Sequence, residues 1–333
     1  MEVEGEAGRY AGGGEGGEEG KAVRSTKWIW LVIELWLVGC ASTAIPPPTS
    51  TAVPSPTPVP TATPSPSPTA TIAPTSTSPA PTAMPTAAPS GVTVTILYEN
   101  NASDPRLETA WGFSCLVEGL EKTILFDTGG DASLLLRNMR ALGIDPQNVD
   151  VVVISHIHND HLGGLAGFLE ENPAVTVYLP QSFPENIKSA TREAGAEVVA
   201  VHGPVEICEH ALSTGELGDS IQEQSLVLET TQGLVVITGC AHPGVVNIVR
   251  RAQELTGEEV ALVLGGFHLG GASEAEIASI VEDFRRLGVR RVAPCHCSGD
   301  VARRLFGETY GENFIPAGVG SRLEIRDRRR VVP

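Results

Sequence analysis

From about residue 91 onward, short runs of β-branched and aliphatic residues alternate with longer stretches whose apolar positions recur at helical spacing. Residues 92–98, 113–118 and 123–126 read as strands. The leucines of residues 131–142 fall on one helix face. Residues 151–155 read as a further strand. Residues 162–171 and 184–194 read as helices, with a strand at 175–179 between them. Later, strand-like runs at 226–229, 234–238, 260–264 and 291–294 alternate with helical runs at 245–255, 273–287 and 300–306. Strands grouped early and β-α pairs late predict one α/β domain over residues 91–333, with two sheets and helices packed outside them.

The first ninety residues carry a different pattern. Residues 1–20 are glycine and glutamate with almost nothing apolar, so they are expected to be disordered. Residues 21–40 combine Lys21, Arg24 and Lys27 with an apolar run from Trp28 to Val38. That run is short for a membrane span and is interrupted by Glu34. It ends in Leu37-Val38-Gly39-Cys40, which resembles a bacterial lipobox. The resemblance implies a signal peptide cut before Cys40, with Cys40 carrying the lipid. An uncleaved anchor with an incidental cysteine is the alternative. Either way the body is expected outside the cytoplasm, tethered to a membrane. Residues 41–90 are almost entirely Pro, Thr, Ser and Ala, the composition of a semi-stiff stalk.

The formal net charge of −17 argues against nucleic acid or an anionic membrane surface as a partner. The basic cluster Arg326, Arg328, Arg329 and Arg330 reads as a solvated tail. Of six cysteines, Cys40 is assigned to the lipid, and Cys115, Cys208, Cys240, Cys295 and Cys297 show no zinc-finger spacing.

The candidate chemistry lies in the segment S-H-I-H-N-D-H-L-G-G-L, residues 155–165. It places His156, His158, Asp160 and His161 within six residues, directly after an apolar strand. Strand alternation would turn His156 and His158 to the same side, toward one ion. A turn at Asn159 would let Asp160 and His161 face a second. Neutral imidazole and carboxylate suit Zn²⁺, or iron or manganese. A lone histidine at a strand end is usually an ordinary surface residue, but this density is hard to assign to packing. Four more loops follow apolar strands: D-T-G-G from Asp127, G-C-A-H-P-G from Gly239, G-G-F-H from Gly265 and C-H-C-S-G from Cys295. Six of the eight histidines therefore sit at or just past strand ends, which gather into one crevice in α/β folds. His202 and His210 lie outside these loops and read as surface residues.

These motifs, in this order, resemble the metallo-β-lactamase superfamily. Within it, G-F-S at Gly112, F-D-T-G, G-C-A-H-P-G, G-G-F-H-L and P-C-H-C-S-G are similar to the dihydropterin-phosphate synthase branch. The resemblance implies an αββα sandwich with a metal site, often binuclear, at one edge, and hydrolysis or related chemistry at an ester, amide or phosphoester. It assigns His156, His158 and His242 to a first ion, and Asp160, His161 and His296 to a second. It makes Asp127 the group that holds a ligating histidine from behind. The chain departs from the superfamily in lacking a further histidine before the strand that leads to Gly239, and in carrying Cys240 where a bridging aspartate is usual. Cys240 is then either a thiolate ligand or a small buried residue beside the site. His268 is left as a third-site ligand, a proton donor, a substrate contact or a structural residue.

The expected activity is metal-dependent hydrolysis of a small ester, lactone or phosphoester by activated water, with Asp160 orienting the nucleophile and His268 a candidate proton donor. The alternatives are a dihydropterin-phosphate synthase-like enzyme and a non-catalytic metal or ligand binder of the same fold. The expected partner is a small-molecule substrate, together with the membrane through the lipid anchor.

Overall fold

A computed structural model describes Pro89 and residues 91–326. The expectations for residues 1–20, the signal segment 21–40 with Cys40, nearly all of the stalk and the arginines beyond Arg326 lie outside the described residues. No helix among the described residues is long and apolar enough to cross a membrane.

The first half of the domain supplies β1 (Gly91–Tyr98), β2 (Ser114–Glu118), β3 (Ile124–Phe126), β4 (Val151–Val153), β5 (Thr176–Pro180) and β6 (Glu197–Val201). The second half supplies β7 (Val205–Cys208), β8 (Ala211–Ser213), β9 (Leu226–Thr230), β10 (Gly233–Thr238), β11 (Val260–Gly266), β12 (Arg291–Cys295) and β13 (Arg322–Arg326). They form a seven-stranded sheet in the order β13-β1-β2-β3-β4-β5-β6 and a six-stranded sheet in the order β12-β11-β10-β9-β8-β7. The last strand thus returns to the first sheet, pairing antiparallel with β1.

Both faces of each sheet are covered, so the central strands are apolar throughout rather than alternating. Cys115 and Val117 of β2 and Val235 and Ile237 of β10 meet in a core between the sheets. Leu116 of β2 and Leu125 of β3 point the other way, toward α1 (Ala132–Ala141), α3 (Leu165–Glu171) and α4 (Glu185–Glu193). On the second sheet, Leu234, Val236 and Val263 pack with α5 (Val245–Thr256), α6 (Glu274–Arg286) and α7 (Gly299–Tyr310). The result is the expected mixed α/β fold, four layers ordered helix, sheet, sheet, helix.

Three expectations are corrected. The strand expected to run to Ser155 stops at Val153, so His156 and His158 stand in a loop. The helix expected over 162–171 is split into α2 (Asn159–Leu162) and α3, because Gly163-Gly164 intervenes. Strands β6, β7, β8 and β13 were not expected; three of them lie at sheet edges, where charged residues such as Glu197 and Arg322 blur the apolar pattern.

One buried polar residue fixes the loop between β1 and β2 to α1. Asn138, 1% exposed, donates from Nδ2 to Leu97 O and Glu108 O at 2.9 Å each, and its Oδ1 accepts from Glu108 N at 3.0 Å. Asn138→Ala would leave these backbone groups unmet, at a cost of about 2–4 kcal/mol. Urea denaturation should show a lower midpoint with an unchanged slope; a midpoint equal to the parent's would contradict this reading of the loop.

Candidate metal centre

Strands β3 and β4 run parallel, as do β10, β11 and β12. Their C-terminal ends open toward the same edge, and the loops that leave them carry Asp127, residues 155–161, residues 239–242, His268 and residues 296–298. Backbone strain is concentrated there. Five non-glycine residues among those described have left-handed φ, and four of them are Asp127, Ala241, His268 and His296. Two glycines allow close approach of the loops. A side chain on Gly112, at φ 143°, would strike the Asp160 carbonyl, and one on Gly239 would strike the Ser155 hydroxyl and crowd Asp127.

Asp127 is fully buried and accepts three hydrogen bonds. Its Oδ1 receives Ser155 N at 2.6 Å; its Oδ2 receives Ser155 Oγ at 2.8 Å and His161 Nδ1 at 2.7 Å. An ionised carboxylate oxygen only accepts, so with Asp127 ionised the His161 proton sits on Nδ1 and the lone pair on Nε2. Glu223, also fully buried, does the same for His242. Its Oε2 meets His242 Nδ1 and His242 N, both at 2.9 Å, while Oε1 accepts Cys240 N at 2.9 Å and Ala241 N at 2.8 Å. His156 Nδ1 lies 2.9 Å from Ser155 Oγ, whose own proton goes to Asp127, so His156 also keeps its lone pair on Nε2. His296 Nδ1 faces Asn100 Oδ1 at 3.3 Å, and Glu99 Oε1 accepts His296 N at 2.6 Å.

The Nε2 lone pairs of His156, His161, His242 and His296 therefore converge on this edge. His156 Nε2 stands 3.1 Å from His158 Nδ1, and the His156 ring centroid is 4.6 Å from that of His242. His161 Nε2 stands 3.1 Å from His296 Nε2, and Asp160 Oδ2 is 3.3 Å from the latter. The facing lone pairs of His161 and His296 repel, and they are spaced near the roughly 3.3 Å edge of a tetrahedron built on zinc–nitrogen bonds. The donor set fits a cation. Candidate ligand atoms lie within 4.8 Å of one another in three groups: Asp160, His161, Cys240 and His296; His156, Cys240 and His242; and Cys240, His268 and Cys297.

Electrostatics agree with the geometry. Burial, and then the charge of the neighbouring His161, hold His156 down at about 3. Burial, and then His296, hold His161 at about 3. Both rings are thus neutral, and able to ligate, at physiological pH. Burial pushes Asp127 up to about 7, against the pull of His156 and Ser155. Burial would raise Glu223 too, but the hydrogen bonds from His242 and the loop amides outweigh it and bring the carboxyl to about 2.

All six histidines expected at the strand ends, with Asp127, Asp160 and Cys240, are brought to this edge. Cys240 is buried, its Sγ stands 3.2 Å from His161 Nε2, and it belongs to all three groups. His202 is exposed and pairs with Glu216. His210 is more enclosed than expected, between Glu209 and Glu229, and takes no part in the cluster. Glu223, Glu99 and Asn100 were missed. The signal for Glu223 lies in the β9–β10 hairpin, where the short turn after Thr230 forces antiparallel pairing and sets Leu226 opposite Ile237. Glu223 and Cys240 each stand three residues beyond that pair.

A two-sheet sandwich with histidine and aspartate donors at one edge defines a class, and the profile of the metallo-beta-lactamase superfamily matches residues 112–296. The chain belongs to that superfamily. The 7,8-dihydropterin-6-methyl-4-(beta-D-ribofuranosyl)-aminobenzene-5'-phosphate synthase of Methanocaldococcus jannaschii is 29% identical over 252 residues, covering 61% of this chain and 86% of that one. The crystal structure of Tm1679, a metal-dependent hydrolase of the beta-lactamase superfamily, matches with a TM-score of 0.62 at 31% identity, covering 71% of this chain and 100% of that one. The metallo-beta-lactamase fold protein YhfI from Bacillus subtilis, at 16% identity and a TM-score of 0.53, covers 71% and 99% and shares the fold.

The shifts predict how stability depends on pH with a chelator present. Between about pH 4.5 and 6.5 the unfolded chain protonates His156 and His161, which the fold keeps neutral down to about pH 3. Asp127 opposes one of them, holding a proton in the fold up to about pH 7 that the unfolded chain releases. The unfolded state binds about one proton more, so stability falls as pH drops, by about 1.4 kcal/mol per unit. Below about pH 4.5 Glu223 adds to the loss, since its folded value is about 2. Urea midpoints should fall from pH 6.5 downward and more steeply below 4.5; a flat profile would contradict the neutral-imidazole assignment.

Proposed function

We propose that the chain is a membrane-tethered, metal-dependent hydrolase acting on a small ester, lactone or phosphoester. The observation that carries this reading is the set of inward imidazole lone pairs beside an open cavity. That cavity, about 470 Å³, is bounded by Trp111, His268, Gly270, Ala272, Glu276 and Cys297. Its size suits a small-molecule substrate.

His156, His158 and His242 would hold one ion, and Asp160, His161 and His296 another, with the Cys240 sulfur between them. Zinc suits these donors, and iron or manganese is chemically compatible. When bound, the metal supplies a Lewis acid and lowers the pKa of water. The chain's own residues do the rest. Burial alone would raise the Asp160 carboxyl, but His296 and His161 beside it hold it well below the usual range. Asp160 is therefore ionised at neutral pH, and its Oδ2 is suited to orient a water and accept its proton. A hydrogen bond with Cys297 raises His268 above the ordinary imidazole value, and His268 lies on the cavity wall, suited to protonate a leaving group. Trp111, 59% exposed with its ring centroid 4.8 Å from that of His296, offers a flat face to a substrate.

The likeness to Tm1679 supports the hydrolytic reading. The likeness to the archaeal synthase supports a second reading, a synthase-like reaction on a phosphorylated ribofuranosyl compound. Tethering rests on the lipobox-like Leu37–Cys40 run and the stalk, which also favour an extracytoplasmic substrate.

The test is a panel of model phosphodiesters, phosphomonoesters and lactones offered to the zinc-loaded full-length chain. Turnover of at least one class is expected, lower by about 10²–10³-fold in Asp160→Ala. Trp111→Ala should raise KM with little change in kcat. Absence of turnover across the panel would contradict the hydrolase reading.

A further inference from the structure

Two of the five described cysteines stand apart from the apolar cores. Cys295 packs between the sheets, whereas Cys297, two residues on, belongs to none of the three apolar clusters. Its Sγ faces the Cys240 carbonyl at 3.6 Å instead. Cys240 lies across from it on the loop after β10, and both are free thiols. His268 completes the group. It is exposed while its two partners are buried, and it adopts φ 55°, a left-handed conformation unfavourable for a residue with a side chain. Its ring centroid stands 4.4 Å from that of His242, so the strained turn brings it over the edge of the metal centre.

We infer that Cys240, His268 and Cys297 form a further binding site, for a soft thiophilic cation such as copper(I), cadmium or a third zinc. The two sulfurs and the imidazole nitrogen lie within 4.8 Å of one another. The set contains no carboxylate. Thiolate and imidazole donors favour soft and borderline d¹⁰ ions over magnesium, calcium or manganese. Both the Asp160 group and this one draw on the Cys240 sulfur, so occupancy of one is linked to the other. His268 and Cys297 line the 470 Å³ cavity, which gives an ion a route from solvent, and an ion bound there takes the His268 lone pair in place of the proton that would serve a leaving group. Three protein donors leave the fourth tetrahedral position to a water or a small thiol.

The experiment is a cadmium titration of the full-length chain, already loaded with zinc, followed by sulfur-to-cadmium charge-transfer absorption and by cadmium NMR, which reports how many sulfurs bind. The parent chain should take up cadmium with a two-sulfur signature. Cys297→Ser should reduce the signature to one sulfur. His268→Ala should keep two sulfurs and weaken binding by about tenfold or more, the range seen when a ligand or its support is removed. Circular dichroism checks that each variant folds. Because His268 is exposed, its replacement tests the site even if Cys297→Ser does not fold. A two-sulfur signal unchanged in Cys297→Ser, or cadmium affinity unchanged in His268→Ala, would overturn the proposal. Neither readout depends on turnover.

Discussion

A carboxylate buried in an apolar sandwich is destabilising by several kcal/mol unless its lone pairs are met. Asp127 and Glu223 meet theirs with loop amides, a serine hydroxyl and the outer nitrogens of His161 and His242. That requirement orders the rest of the site. Because each ionised carboxylate accepts a hydrogen bond from Nδ1–H, each ring turns its Nε2 lone pair inward. The same bonds fix the 239–242 loop of the second sheet and the 155–161 loop of the first. The polar edge of the fold is thus built from behind, with ligand direction decided one layer away from the ligands.

The backbone shows what this arrangement demands. Left-handed φ values at Asp127, Ala241, His268 and His296 are conformations that side chains ordinarily avoid. They persist because apolar strands on both sides hold the loop ends: β3 and β4 in one sheet, β10 to β12 in the other. The stability of the two-sheet core and the geometry of the edge are therefore one problem. The core holds the strained turns in place, and around those turns histidines from four loops come together.

Much of this was legible in the residues. Buried strands with both faces covered write continuous apolar runs, so β1 to β5 and β9 to β12 were visible, and the histidines and Asp127 that follow them marked the edge. The reason given for His156 and His158 was wrong in detail. They meet in a loop rather than by strand alternation, because β4 ends at Val153. Glu223 was illegible for a different reason. Its burial depends on a long-range pairing, and in the sequence it is one glutamate in a polar stretch. Glu99 and Asn100, which hold His296 across nearly two hundred residues, were hidden in the same way. Cys240 was read as the departure from the superfamily pattern, but its place at the meeting point of three donor groups depends on loops that only the fold brings together.

The central claim is that imidazole lone pairs, aimed inward by buried carboxylates, make this edge a metal centre. Anomalous difference density from crystals of the zinc-loaded chain tests it most directly. The account predicts one peak among His156, His158 and His242 and another among Asp160, His161 and His296, with the His161–Asp127 and His242–Glu223 bonds intact. Absence of both peaks, or rings turned so that Nδ1 rather than Nε2 faces the ion at His161 and His242, would contradict it.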